Sequence, residues 1–143
     1  MVLEVPIIAA VLGEGGSGGA LGIGVADRVL IMQYAYYSVI SPEGCAAILW
    51  KDRSASAKAA EALKITATDL LALGLVDEII PEPLGGAHTN YELSAQTLRD
   101  CLLKHLDQLQ ALPAPDRLKQ RYAKFRAFGH FTEKRLAAEK LGA

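Results

Sequence analysis

Residues 13–24 read GEGGSGGALGIG, and this glycine-rich stretch decides how the chain folds. It follows a continuous apolar run at residues 5–12, which is typical of a buried strand. Glycine lets a backbone turn sharply and approach a neighbour closely, because no Cβ is in the way. We therefore predict a strand over residues 5–12, a loop from residue 13, and a glycine-rich helix. That helix is expected to open at about Gly18 and to pack closely on a neighbour.

Strands and helices alternate through the first half of the chain. Apolar runs at residues 29–32, 36–40 and 75–80 predict three further strands. Helical segments alternate with the strands, and such alternation predicts an α/β fold.

Helix starts are marked by capping residues. Ser41 and Pro42 predict one start, with serine as the cap and proline at the first helical position. Thr66 and Asn90 are candidate caps of two later helices, and a final helix is predicted from Asp116. The other predicted features are an alanine-rich helix at 54–63, a helix end at Gly74, a loop at 81–88 and helix breaks at Pro113 and Pro115.

Composition limits the class of protein. The chain has 143 residues, 51% hydrophobic and 22% charged, which suits one folded domain and excludes dominant disorder. No run approaches the roughly 18–20 apolar residues of a spanning helix, and residues 1–6 lack the basic start of a secretory signal. Cys45 and Cys101 have no metal-binding or redox spacing. We expect a soluble cytoplasmic domain with reduced thiols.

Charge is unevenly distributed along the chain. Residues 1–116 hold 7 Lys and Arg against 14 Asp and Glu, whereas residues 117–143 hold 8 against 2. The basic end is expected to be a solvated helix face docked on the protein's own acidic part, or a surface that meets phosphates. A pI near 6.3 and the lack of a binding motif argue against nucleic acid.

Two side-chain motifs fit the glycine stretch. Gly13, Gly15 and Gly18 match the dinucleotide fingerprint, but the acidic residue that it requires about 20 positions on is missing. Residues 15–19 also match the nucleophile elbow of a serine hydrolase, in which Ser17, Asp77 and His88 would form the triad. The remaining histidines, His105 and His130, are expected to be structural or exposed.

A third interpretation uses the backbone alone. Amides at the start of a helix have no partner within it, and glycine leaves them accessible. Such a loop can bind an anion or stabilise a developing oxyanion. A tight turn with close helix packing remains the structural alternative.

Three stretches, residues 13–21, 37–46 and 80–88, occur in the same order as in one known family. Together they closely resemble the carboxyltransferase alpha subunit of bacterial-type, multi-subunit acetyl-CoA carboxylase. The similarity runs from about residue 3 to residue 129. Residues 65–80 also resemble the helix–turn–strand of the wider crotonase superfamily.

The resemblance implies a crotonase-like (ClpP/crotonase) α/β fold, a spiral of β-β-α units that is incomplete at the N-terminus and carries C-terminal helices. Residues 1–88 would be the C-terminal part of the carboxyltransferase domain, and residues 89–143 its C-terminal helical region. Family members are about twice as long, and the absent part is N-terminal. We therefore expect exposed apolar edges or self-association, unless a partner covers them.

The resemblance also implies an activity and partners. Members transfer the carboxyl group of carboxybiotin to acetyl-CoA and make malonyl-CoA, the first committed step of fatty acid biosynthesis. Carboxybiotin would be presented by the biotin carboxyl carrier protein, in a complex that includes biotin carboxylase and a beta subunit, two alpha with two beta. Zinc is expected only in the beta subunit. For this chain we expect no metal, no covalently bound cofactor, no nucleic acid and no membrane.

Site roles follow from the same resemblance. Gly18 and Gly19 correspond to the pair whose backbone N–H groups form the oxyanion hole for carboxybiotin. Gly15, Gly16 and Ser17 would shape the substrate-binding loop, and Ser17 need not react. The alternative from another class is a non-catalytic assembly module. Residues 130–143 extend past the usual family end and have no assigned role.

Overall fold

The computed structural model describes residues 3–129 of the chain. The strands in this part of the chain are β1 (Ile8–Val11), β2 (Glu14–Gly16), β3 (Arg28–Met32), β4 (Tyr36–Ser38) and β5 (Glu78–Ile80). The α-helices are α1 (Ser17–Gly24), α2 (Pro42–Trp50), α3 (Ser56–Leu63), α4 (Ala67–Ala72), α5 (Tyr91–Gln110) and α6 (Ala114–Arg126). Two 3₁₀ turns lie at Arg53–Ala55 and Ala87–Thr89.

The strands form two parallel sheets. One sheet has three strands in the order β1-β3-β5, and the other pairs β2 with β4. Because all pairs are parallel, the carboxyl ends of β1, β3 and β5 meet at one edge. The glycine-rich stretch therefore begins at the same edge as the loop after β5. The predicted α/β arrangement is confirmed, and its strands are paired in parallel.

The glycine-rich stretch differs from the prediction in two respects. Residues 14–16 form strand β2 rather than loop, because Gly15 and Gly16 pair with Tyr37 and Ser38. The helix α1 begins at Ser17, one residue before the predicted start. The predicted strand over residues 5–12 is shortened to β1, because Ile7 leaves the strand pairing to bond Asp27.

The core lies around β3, whose residues Val29, Leu30 and Ile31 are completely buried. The helix α5 adds Cys101 to this core, with Leu98 and Leu102 packed against it. Burial on both faces explains why β3 reads as an unbroken apolar run.

Three predicted helix caps are confirmed. The Ser41 hydroxyl accepts a hydrogen bond from the Gly44 amide at 3.1 Å, and the Asn90 side chain accepts one from the Leu93 amide at 3.0 Å. Thr66 caps α4 in the same way. The prediction that α6 begins at Asp116 is wrong by two residues. Pro115 lies in the first turn, where its missing N–H would have had no partner within the helix.

The helix α6 is docked through its basic residues. The Arg121 guanidinium is 3% exposed and pairs with the buried Asp27 carboxylate at 2.6 Å. Lys124 pairs with Asp77 at 2.5 Å, and Arg117 donates hydrogen bonds to the carbonyls of Leu109 and Leu112. For residues 117–129, docking on the protein's own acidic part is confirmed. The rest of the basic end, with His130, lies outside the described residues.

Large apolar side chains are exposed near β1, as predicted. Leu3, Val5 and Leu12 are 58%, 60% and 55% exposed. The strand β1 is an edge of its sheet, and within residues 3–129 only β3 pairs with it. Among the same residues, no helix is both long and apolar enough to cross a membrane.

Candidate active site

The candidate site is the sharp turn from β2 into α1. Gly16, the residue before the helix, is extended with φ −135° and ψ 164°. Ser17 then has a φ of 58°, in the left-handed region that residues with a Cβ seldom adopt. This reversal turns the chain at once from strand to helix, so that α1 begins directly after β2.

The amides of Gly18 and Gly19 are the predicted oxyanion donors. Both residues are exposed and lie in the first turn of α1, where N–H groups have no acceptor within the helix. No side chain caps this end of the helix among the described residues. A Cβ built on either glycine would meet nothing within 4 Å. Internal packing therefore does not require glycine at these two positions, and what glycine provides there is access to the amides.

This observation corrects part of the sequence prediction. The glycine-rich helix was expected to pack closely on a neighbour, yet Gly18, Gly19 and Gly22 face open space in the part of the chain that the structure describes. Within residues 13–24, only Gly15 and Gly24 lie against a side chain: Tyr37 contacts both, and Val11 also contacts Gly15.

A groove of about 390 Å³ borders the start of α1. It is lined by Gly16, Ser17, Tyr36, Ser38, Val39, Ile40 and Ser41. The sequence prediction assigns Gly16 and Ser17 to the site but does not include four other groove residues, Tyr36, Ser38, Val39 and Ile40. These residues could have been assigned to the site from the sequence, because they lie in or beside the second family stretch, residues 37–46. In the structure, β4 pairs with β2 and so brings them to the groove.

The groove offers backbone donors rather than charged side chains. At its border, the Tyr36 hydroxyl donates a hydrogen bond to the Glu14 carboxylate, which holds the pKa of Tyr36 above its usual value, so Tyr36 stays neutral. The start of a helix carries a partial positive charge of about half a unit. The arrangement can therefore bind an anion or stabilise negative charge that develops on an oxygen.

Comparison with known proteins identifies the family. Residues 1–129 match the family described as acetyl co-enzyme A carboxylase carboxyltransferase-like. The chain belongs to this family. The predicted resemblance to a carboxyltransferase alpha subunit is confirmed.

The similar proteins of this carboxyltransferase family carry one name. The chain is 60% identical to acetyl-coenzyme A carboxylase carboxyl transferase subunit alpha of Synechococcus elongatus over 130 residues, 91% of this chain and 40% of that protein. It is 57% identical to the subunit alpha of Geobacter sulfurreducens over 131 residues, 92% of this chain and 41% of that protein. The chain thus spans about two fifths of the length of these relatives and corresponds to their C-terminal part.

A solved structure supports the fold of the carboxyltransferase-like chain. The similar chain is from a Pseudomonas malonate decarboxylase hetero-tetramer in complex with coenzyme A, with a TM-score of 0.63 and 20% sequence identity. The match covers 85% of this chain and 49% of that chain. The predicted crotonase-like fold class is confirmed.

The alternative hydrolase triad is not assembled in this carboxyltransferase-like chain. Asp77 lies just before β5 and His88 lies after it, so they flank opposite ends of one strand. The Asp77 carboxylate instead accepts hydrogen bonds from the Val29 amide at 2.6 Å and from Lys124 at 2.5 Å. The order Ser, Asp, His in the sequence therefore does not correspond to a triad in space.

The dinucleotide alternative also lacks its acidic partner. The first carboxylate after Gly18, that of Asp27, bonds the Ile7 amide and Arg121 rather than being exposed to a ligand. Burial raises the pKa of Asp27, but the hydrogen bonds from Arg121 and the Ile7 amide outweigh it. The pKa of Asp27 therefore lies below its usual value.

Sequence analysis missed a second cluster of polar side chains, between β5 and α5. The Glu78 carboxylate bonds the Nε2 atom of buried His105 at 2.8 Å and also the Lys104 ammonium. Cys101 lies close by, and burial raises the pKa of its thiol. No local sequence motif indicates this cluster, because 27 positions separate Glu78 from His105. His105 is structural, one of its two expected roles.

Proposed function

We propose that this chain supplies the oxyanion-binding helix of a carboxyltransferase. The enzyme would transfer the carboxyl group of carboxybiotin to acetyl-CoA and make malonyl-CoA, the first committed step of fatty acid biosynthesis. The observation that carries this proposal is the pair of exposed amides at Gly18 and Gly19 beside a groove, in a chain of this family.

The groove has the properties that the ureido ring of biotin requires. Gly18 and Gly19 directly follow the groove residue Ser17 and are exposed, and the lack of a Cβ leaves room for a close approach to their amides. Val39 and Ile40 add apolar surface. Bound biotin supplies a ureido group that carries the carboxyl group on nitrogen and takes up negative charge on oxygen when the carboxyl group leaves.

The residues of this chain act through the backbone. Gly18 and Gly19 donate N–H groups to the ureido oxygen, and the positive end of α1 adds to the stabilisation of its negative charge. These interactions strengthen as charge develops, so they lower the barrier rather than only tighten binding. Ser17 lines the groove without acting as a nucleophile.

The complete enzyme requires more than this chain. The relatives are named as subunit alpha, which supports assembly into a multi-subunit carboxylase. The proposed partners are a beta subunit with its zinc, two copies beside two alpha chains, together with biotin carboxylase and the biotin carboxyl carrier protein. Acetyl-CoA is the acceptor, and the complex is placed in the cytoplasm. The exposed apolar surface around β1 supports coverage by a further protein part.

The test is reconstitution of the reverse reaction. This chain is mixed with a beta subunit of the family, and malonyl-CoA-dependent carboxylation of biocytin is measured. A full-length alpha subunit serves as the positive control. We expect the mixture with this chain to carboxylate biocytin. A chain that binds the beta subunit but gives no carboxylation, beside an active control, would instead identify a non-catalytic assembly module.

A further inference from the structure

One aromatic side chain contacts the glycine-rich helix α1 from the neighbouring strand β4. Tyr37 is in β4, and its hydroxyl donates a hydrogen bond to the Ala20 carbonyl of α1. Gly24, one turn further along α1, lies beside the same hydroxyl oxygen. The Tyr37 hydroxyl thus contacts both ends of one helical turn.

The Tyr37 ring also determines where glycine is required. A Cβ on Gly15 would lie 2.6 Å from Cδ2 of the ring, and a Cβ on Gly24 would lie 3.1 Å from the hydroxyl oxygen. Gly15 pairs with Tyr37 in the β2–β4 ladder, so the ring starts beside β2 and reaches the far end of α1. One side chain therefore contacts the strand before the turn and the last turn of the helix after it.

The rest of α1 has little else to hold it. Ala20 is the only buried residue of this helix, and Leu21 is 67% exposed. Gly18, Gly19 and Gly22 face open space in the described part of the chain. Besides Ala20, Ile23 packs against the core, so few side-chain contacts fix α1 and the hydrogen bond from the Tyr37 hydroxyl is one of them.

We propose that Tyr37 is a positioning residue for the site: its hydroxyl holds the last turn of α1 and so fixes the direction of the Gly18 and Gly19 amides. The expected effect on turnover rests on the proposed function. The expected effect on the orientation of α1 rests on the geometry of the helix alone. Oxyanion donors are effective only when they are oriented before the reaction, so a small tilt of α1 should reduce turnover.

The test removes the hydroxyl and keeps the ring. Tyr37→Phe is compared with Tyr91→Phe, which removes the hydroxyl of a tyrosine that is 77% exposed at the start of α5. In the beta-subunit mixture we expect Tyr37→Phe to lower kcat about tenfold with an unchanged KM for malonyl-CoA. Tyr91→Phe should change neither constant. A purely structural role would not separate kcat from KM.

A second readout does not depend on activity. In ¹H–¹⁵N spectra of the chain, the Gly18 and Gly19 resonances should shift in Tyr37→Phe and stay in place in Tyr91→Phe. Gly24→Ala provides an independent variant, because its methyl group would lie against the Tyr37 hydroxyl oxygen. It should shift the same two resonances in the wild-type background and much less in the Tyr37→Phe background, where that oxygen is absent.

The outcomes separate this inference from the proposed function. Shifted glycine resonances in an inactive wild-type mixture would support the positioning role and contradict the carboxyltransferase. Unshifted resonances in Tyr37→Phe would overturn the positioning role, whatever the activity. An active mixture in which Tyr37→Phe leaves kcat unchanged would also overturn it.

Discussion

Residue 19 is a position at which the fold tolerates a side chain and the proposed reaction does not. A Cβ there meets nothing within 4 Å, but the branched side chain of Gly19→Val would cover its own amide. We expect Gly19→Val to lower the rate of biocytin carboxylation by about 10²-fold, the usual cost of losing one oxyanion donor. Gly22→Val is the matched control, because it also faces open space, but its amide lies beyond the first turn of α1.

Two results would contradict this assignment. One is equal loss of activity in Gly19→Val and Gly22→Val, which would indicate a general effect on α1. The other is loss of activity in Ser17→Ala, since a carboxyltransferase that works through backbone amides should retain its rate without that hydroxyl.

The buried Asp27 carboxylate is the position at which we expect a charge-removing substitution to cost most, because its partner Arg121 is buried too. Arg121 bonds both of its oxygens, at 2.7 Å and 2.6 Å, in a fully buried pair. Asp27→Asn would leave the Arg121 charge buried without its partner, and we expect a loss of about 3–5 kcal/mol in the free energy of unfolding. Urea denaturation followed by circular dichroism measures this loss. Asp100→Asn, which breaks an exposed pair with Arg99, should change stability by less than about 0.5 kcal/mol.

The same carboxylate makes the stability depend on pH. The pKa of Asp27 is lowered from 3.8 in the folded protein, so folding favours its ionised form. Its contribution is complete above the unfolded-state pKa and is lost as the pH falls through the lower folded-state pKa. The stability difference between the wild type and Asp27→Asn should therefore shrink in acid. A difference that stays constant down to the lowest pH at which the chain folds would contradict this account.

At the scale of elements, β5 and α5 are joined by the Glu78 carboxylate. It bonds Lys104 and the buried His105, and these hydrogen bonds lower the pKa of Glu78, with the bond from Lys104 as the largest cause. We expect Glu78→Gln to lower the free energy of unfolding by about 1–2 kcal/mol, since one partly exposed charge is removed and its hydrogen bonds weaken. Thermal unfolding measures the change. Glu61→Gln on the exposed side of α3 is the control, and an equal effect of both variants would contradict a specific role.

The elements also show what the sequence could predict. The caps at Ser41, Thr66 and Asn90 were predictable because a cap is formed by residues three positions apart. Strand β2 was not predictable from its composition, because two of its three residues are glycine and only pairing with β4 makes it a strand. The site followed the same rule. The glycines could be assigned from a local motif, whereas the groove residues and Tyr37 required the pairing of two distant segments.

At the scale of the whole molecule, the apolar surface around β1 governs association. Leu12 follows the edge strand and is 55% exposed. We expect the chain alone to associate at increasing concentration, and Leu12→Lys to reduce its average mass in sedimentation equilibrium, because a charge on this edge opposes pairing. Leu84→Lys, at a position that is 97% exposed in the loop after β5, should leave the mass unchanged. A monomeric wild-type chain would contradict the prediction.

Two arginines of α6 determine when the segment before β1 is held in place during synthesis of the protein. Arg117 bonds the carbonyl of Glu4, and Arg121 bonds the carbonyls of Leu3 and Val5 at 2.9 Å and 3.0 Å. These partners lie 113 to 118 positions apart in the chain. Contacts of such separation form late and slowly during folding. The segment that leads into β1 therefore leaves the ribosome long before the helix that secures its backbone, and its exposed apolar side chains, Leu3 and Val5, need a covering partner both before and after α6 docks.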